Sequence, residues 1–537
     1  MASGFTLTDE TMVLAYLAVT MIIGLHFAGK KEQTFDKYFF AGKDLGWFAV
    51  GMSIFATNIS SEHFIGLAGA GASRGMAVGQ FELMAIFVLI FLGWVAAPIY
   101  IKSSVLTTPE FLEKRFGSLV RGPVAVLSIV LYIFTKMIIT FFAGGLLFNR
   151  LFGVNIYTSA IIIVLLTGLY STFGGATAVI KTGIFQGVVL ILSGLLLTVF
   201  GLKEVGGFAR LQHELPTDFF HMFKPVTDRD YPWTGILFGA PIIAFWYWIT
   251  DQYFIQKILS AKDQKTARTG SLFAASLKVL PVFILVLPGL IAAAVFHGSG
   301  GDQTYPMLVE GIAFPAGVRG LILAGVLAAI MSSLAGIFNT SALLVANDIY
   351  LPRHRQATDH ELVLVGRLAT LIMVMVAIMS VSLVKLVSNQ LYLFLQALQG
   401  YVSPPIAAIF LFAFVLKKGS EKAALWTLII GEATGLFMLV MKLFAPIENV
   451  GIVPRFVLTM NFLHLSVALF LFSIFIFVSL SYVLDRKSCL QLRTSWKTPR
   501  LVQVFSLLRS SMGKYRMSIL FSFFIFLIVV GLWKVFF

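Results

Sequence analysis

The sequence predicts an all-α polytopic membrane protein with about fourteen transmembrane helices. Three observations predict it. Of 537 residues, 58% are hydrophobic and only 12% are charged, with 52 Phe; a soluble fold could not cover that much apolar surface. Apolar runs of the roughly 20 residues a helix needs to cross a bilayer recur along the whole chain. Alternating segments of about ten residues, the mark of a transmembrane β-barrel, are absent.

In order, the candidate spans are 10–29, 45–73, 78–100, 122–148, 155–172, 180–202, 232–256, 270–297, 317–347, 362–386, 389–415, 421–443, 457–483 and 515–536. The first is too long, and lacks the preceding basic region, for a cleavable signal peptide, so it reads as a membrane helix. The one cysteine, Cys489, excludes a disulfide framework and a cysteine-based metal cluster.

The formal charge of +15 could suggest nucleic acid. The positions of the basic residues decide otherwise. Of the 40 Lys and Arg, 27 fall in the alternate loops 30–44, 101–121, 174–181, 257–268, 351–367, 417–422 and 484–516. Basic residues collect on the cytoplasmic side, so both termini are expected outside and no nucleic-acid partner is implied. The 484–516 loop reads as ordinary solvated chain, with an amphipathic helix on anionic lipid the less favoured alternative. The longest outside loop is 203–232, too short for a folded domain. The sequons at Asn58 and Asn339 lie within spans and are not credible glycosylation sites. Short outside loops without usable sequons point to a bacterial inner membrane.

Four polar interruptions stand at membrane depth, where lipid offers no hydrogen-bond partners. In "FATNISSEHFIG", Phe55–Gly66, small and polar residues permit unwinding, with the freed carbonyls facing a cation. Glu62 and His63 are too costly there for packing alone. In "LAAIMSSLAGIFNTS", Leu327–Ser341, the hydroxyls of Ser332 and Ser333 suit a hard cation such as sodium, although serines often bond back to their own helix. In "FWYWITDQYFIQK", Phe245–Lys257, aromatic rings beside Asp251 and Gln252 fit a sugar platform or gate, or equally an aromatic belt at the membrane face. Isolated within spans are Glu82, Lys136, Lys278 and Gln396. Lys278 needs a carboxylate or oxygen-rich partner, and Glu82 can supply it. One helix-locking bond would satisfy Lys136.

Polar breaks with buried charges on separate helices imply a central hydrophilic site, the build of a secondary transporter with inverted repeats. No Gly-Lys-Ser/Thr phosphate loop supports ATP-driven transport. No TVGYG-like filter or arginine-rich helix supports a channel.

The segments "DKYFFAGKDLGWFAVGMSIFATNISSEHFIGLAG", "TTPEFLEKRF", "YSTFGGATAVI", "WYWITDQYFIQKILSAKD", "LKVLPVFILVLPG", "LAAIMSSLAGIFNTSA" and "VSPPIAA" resemble, in order, the sodium/solute symporters, in particular the sodium–glucose and sodium–galactose branch. The resemblance implies a LeuT-type core of two inverted five-helix repeats, with one extra helix before it and three after. It divides the chain into 1–44 (extra helix and cytoplasmic loop), 45–202 (first repeat), 203–231 (outside loop), 232–416 (second repeat) and 417–537 (extra helices).

Carried over by position, the resemblance implies a sodium site from the carbonyls of Ala56, Ile59 and Ala329 and the hydroxyls of Ser332 and Ser333. It implies a sugar site from Asn58, His63, Glu82, Tyr247, Trp248, Lys278 and Gln396. Tyr247 is the implied inner gate, and Leu67, Phe81 and Tyr392 hold the outer gate positions. Three departures matter. Gly183 replaces a family aspartate. Ala335 and Gly336 replace residues that carry oxygen where a second sodium is used, so one sodium per sugar is expected. Ala244 replaces an Asn or Thr, which removes one sugar contact and keeps open a different substrate.

The function expected is sodium-coupled import of a glucose- or galactose-like monosaccharide by alternating access, with no covalent chemistry and a monomer sufficient. The alternatives are symport of another polyol or small organic solute such as inositol, and a sugar-gated sensor or uniporter on the same scaffold. Retained Gln396 favours transport over the last. A proton is the alternative driver, given His63; the serine pair favours sodium.

Overall fold

The computed structural model describes residues 6–27, 34–153, 155–297, 300–381, 391–416, 419–444, 459–484 and 515–536. Among these, twelve continuous helical stretches are long and apolar enough to cross a membrane. Two of the twelve, His63–Lys102 (40 residues) and Tyr157–Val205 (49 residues), are far longer than one crossing requires. Each is folded back by a glycine. Gly75 has φ +72° and ψ −153°, and Gly175 has φ +55° and ψ −153°, a region only glycine enters readily. A Cβ at Gly75 would stand 2.1 Å from the Phe219 carbonyl oxygen, and one at Gly175 2.5 Å from that of Tyr38.

Fourteen membrane helices result: α1 (Leu7–His26), α2 (47–74), α3 (80–102), α4 (118–152), α5 (156–174), α6 (176–205), α7 (233–259), α8 (264–296), α9 (318–350), α10 (Asp359–Ser380), α11 (Leu391–Val415), α12 (Glu421–Phe444), α13 (Phe462–Leu484) and α14 (Arg516–Val535). The span boundaries read from hydropathy agree to within about five residues, except at the start of α8; the parts read at 382–386, 389–390 and 457–458 fall on residues outside those described. The reading of 484–516 falls on residues outside those described.

At the centre stands α9, buried without interruption from Ile322 to Leu344. Around the rim, α12 and α14 keep Leu436, Phe437, Phe523 and Phe524 exposed, as lipid contact requires. Helix α14 docks on α3: Trp94 Nε1 donates to Ser522 Oγ at 3.0 Å and Trp533 Nε1 to Gln80 Oε1 at 2.9 Å. This is an all-α polytopic membrane protein of the LeuT type, with helices added outside the core.

Two helices are broken at mid-span. Trp47–Asn58 ends at Ile59, which is extended (φ −76°, ψ 113°), before the chain re-enters helix at Ser61. Helix α7 breaks at Asp251, with almost the same geometry (φ −75°, ψ 120°). The first break matches the expectation for Phe55–Gly66. The second falls in the aromatic segment Phe245–Lys257, while residues 327–341 stay helical within α9. Asp251 and Gln252 are both buried inside the protein, so they do not face lipid headgroups as an interfacial belt would.

Candidate ion and substrate site

The first break redirects main-chain oxygens. A continuous helix would give the carbonyls of Ala56 and Thr57 to the amides of residues 60 and 61. Instead, Ser332 Oγ donates to the Ala56 oxygen at 2.8 Å and Ser333 Oγ to the Thr57 oxygen at 3.1 Å. Ser332 Oγ also lies 3.1 Å from the Ala329 oxygen. Tyr253 Oη braces the same spot, donating to Thr57 O at 2.9 Å and Ser333 O at 3.0 Å. Of the five implied sodium ligands, Ala56, Ala329, Ser332 and Ser333 therefore meet in one place, and Ile59 is the extended residue of the break. Neutral oxygens at such close quarters suit a hard monovalent cation.

The second break is held by charge. Asp251 caps the helix after it, accepting the Tyr253 amide at 3.0 Å. Its carboxylate also takes Lys136 Nζ at 2.7 Å and Tyr132 Oη at 2.5 Å. The Lys136 ammonium lies 3.7 Å from the centre of the Tyr253 ring. Lys136 is thus bound to the break in α7 and not to its own helix. Sequence reasoning could not pair residues so far apart in the chain.

Between the breaks lies a cavity with about 530 Å³ of space free of protein atoms, part of it open to solvent. Asn58, His63, Glu82, Tyr247, Trp248, Lys278 and Gln396 all line it. Lys278 Nζ contacts Glu82 Oε2 and donates to Asn58 Oδ1 at 2.7 Å. Asn58 Nδ2 donates to Tyr247 Oη at 3.2 Å. The Ser60 amide donates to His63 Nδ1 at 3.4 Å. The imidazole proton therefore sits on Nε2, which faces Glu82 Oε1 at 3.9 Å. Tyr247 and Trp248 stand edge to face at 5.2 Å and supply the aromatic wall.

Of the gate positions, Phe81, Tyr247 and Tyr392 line the cavity, whereas Leu67 is fully buried and does not. Tyr392 packs directly on α2: a Cβ at Gly66 would lie 2.8 Å from that of Tyr392. Tyr392 Oη reaches Glu82 Oε1 at 3.4 Å, and its ring meets Phe81 at 6.1 Å. Glu62, Gln399 and Ala244 also line the cavity. Gln399 went unnamed in the sequence, though it lies one turn beyond Gln396 on the same helix face. Glu62 was singled out for its cost and not as a wall residue.

The model of the Sodium:solute symporter family matches residues 38–431 of this chain. The chain belongs to that family. Among the family's curated members, the chain is 35% identical over 520 residues to Sodium/glucose cotransporter 1 of Ovis aries, an alignment spanning 88% of this chain and 78% of that one. It is 36% identical to Sodium/myo-inositol cotransporter 2 of Homo sapiens, over 81% and 70%. A solved structure of a Na+-coupled sialic acid symporter, substrate-bound and outward-open, superposes with a TM-score of 0.76 at 20% identity, over 89% of this chain and 98% of that one. As a symporter of this family the protein is a multi-pass membrane transporter coupled to sodium, not an enzyme.

Proposed function

We propose that the protein imports a monosaccharide of the glucose or galactose type, one sodium per sugar, by alternating access. One observation carries this reading: a shell of hydroxyl-binding groups, Asn58, His63, Glu82, Lys278 and Gln396, surrounds a cavity with an aromatic wall. Rings pack on the apolar faces of a pyranose while amide, carboxylate and ammonium hold its hydroxyls.

The coupling follows from adjacency. Ala56 and Thr57 precede Asn58 directly, so one unwound segment serves both ion and sugar. Sodium at Ala56, Ile59, Ala329, Ser332 and Ser333 neutralises the freed carbonyls and fixes the break in the shape that presents Asn58. Sodium must prefer that shape for coupling to result. Tyr247, hydrogen-bonded to Asn58, acts as the inner gate; Leu67, Phe81 and Tyr392 form the outer one. One cation crossing 100 mV supplies about 2.3 kcal/mol, which with its concentration gradient sustains tens- to hundreds-fold sugar accumulation.

The single-ion ratio is supported by Gly183, Ala335 and Gly336, which carry no side-chain oxygen. At Gly336 a Cβ would already stand 2.8 Å from Thr57 and Tyr253, leaving no room for a hydroxyl. The halves 45–202 and 232–416 form the inverted repeats, each opening with a broken helix. The basic loops put both termini outside, in a bacterial inner membrane, and one chain holds every site residue, so a monomer suffices.

Ala244 on the cavity wall, with the comparable likeness to the myo-inositol cotransporter, favours a cyclic polyol as the second reading. A competition panel decides: labelled glucose, galactose and myo-inositol uptake in proteoliposomes, with and without a sodium gradient. Sugar uptake that needs the gradient, with a sodium Hill coefficient near one, is expected. Equal uptake in both conditions sinks symport, and a coefficient clearly above one sinks the single ion.

A further inference from the structure

Counting charges around the cavity leaves one carboxylate unmatched. Lys278 is committed to Glu82 and Asn58. Lys136, the next cation toward Glu62, is held by Asp251 at 2.7 Å. Lys257 bonds the Tyr253 carbonyl and does not line the cavity. Glu62 lines the cavity with 4% of its surface exposed.

The polar contacts of Glu62 are hydroxyls, with no lysine or arginine among them. Ser60 Oγ donates to Glu62 Oε2, and Thr140 Oγ1 lies 3.5 Å from the same oxygen. The other oxygen, Oε1, has His63 Nδ1 at 3.6 Å. That nitrogen accepts the Ser60 amide, so it brings no proton. A buried carboxylate with one oxygen unengaged by any cation is costly until something positive reaches it.

We propose that the something positive is part of the cargo: the cavity takes a sugar bearing one ammonium group, such as a 2-amino-2-deoxyhexose, with Glu62 as the ammonium acceptor. This rests on the sugar reading above and deepens it. Glu82 stays with Lys278 and serves hydroxyls, and Glu62 selects charge. The cation then crosses with sodium, so two charges move per amino sugar and one per neutral sugar.

The test uses the full chain in proteoliposomes under a sodium gradient at about pH 6.5, where an aliphatic amine with a pKa near that of an α-amino group is charged. Glucose, glucosamine and N-acetylglucosamine, whose amide nitrogen is neutral, are compared. Charge-assisted hydrogen bonds are about twice as strong as neutral ones. Glucosamine is therefore expected to half-saturate at a concentration about tenfold below glucose, N-acetylglucosamine is not, and current per sugar doubles for glucosamine. In Glu62→Gln the tenfold gap closes. Sodium-driven glucose uptake without a glucosamine advantage overturns the inference and leaves the sugar reading standing, as does an advantage that persists undiminished in Glu62→Gln. No sodium-driven uptake of any of the three overturns both. Should Glu62→Gln carry nothing, the wild-type ordering and charge ratio decide alone.

Discussion

Replacing Lys278 with Met separates two roles that the side chain combines. The Lys278 side chain is only 2% exposed and pairs with Glu82, itself only 4% exposed. Once the ammonium is gone, Glu82 keeps only Tyr392 Oη at 3.4 Å and His63 Nε2 at 3.9 Å. Breaking a buried pair from one side costs about 3–5 kcal/mol, because the remaining charge is uncompensated. Replacing both members with neutral groups of similar volume costs little. Lys278→Met should therefore unfold at a clearly lower temperature than wild type, and Lys278→Met with Glu82→Gln should recover most of the loss. Neither should transport sugar, since Lys278, one of the hydroxyl-binding groups, is gone in both. Thermal unfolding of the purified proteins, followed by tryptophan fluorescence, gives the stabilities; sodium-driven uptake gives the function. A single variant that melts with wild type, or a double variant no better than the single, refutes the pairing argument.

Three other outcomes are expected. Ser332→Ala removes a neutral oxygen from the ion site, worth about 1–1.5 kcal/mol, so half-saturating sodium in uptake assays should rise about tenfold while sugar KM at saturating sodium changes less; unaltered sodium dependence refutes the site. Gly75→Ala forces a Cβ to within 2.1 Å of the Phe219 oxygen in a backbone region closed to alanine, so folded yield on size-exclusion chromatography should collapse, and a normal yield refutes the turn. Burial raises the Asp302 carboxyl, in the loop between α8 and α9, from 3.8 to about 7, opposed by the hydrogen bond from the Leu391 amide. The fold therefore favours the neutral acid: this contribution is complete below the unfolded value and is lost as pH rises through about 7. Melting temperatures at pH 5 and 8 should differ more in wild type than in Asp302→Asn, and parallel pH profiles refute the burial argument.

Much of the site was legible because its residues announce themselves. Glu82 and Lys278 are ionisable groups in apolar runs, and their partnership could be guessed from the absence of any other use. The segment Phe55–Gly66 carried so many polar groups that unwinding was the economical reading, and Ile59 is extended as that reading requires. The serine run at 327–341 was a weaker sign, because hydroxyls in a helix look alike whether they bond their own backbone or another helix. Ser332 and Ser333 reach across to carbonyls of α2, which leaves α9 intact. Lys136 and Asp251 lie on different helices and could be joined only in space.

The sequence by itself determined the element list, since spans are set by local length and apolarity against a fixed bilayer thickness. It also determined which charges demand an explanation, because an ionisable group in lipid is expensive wherever it sits. Tertiary structure decided which helix breaks and which stays whole, which lysine meets which carboxylate, and which buried acid is left without a cation. Those choices depend on distances between helices remote in the chain, and no local propensity encodes them.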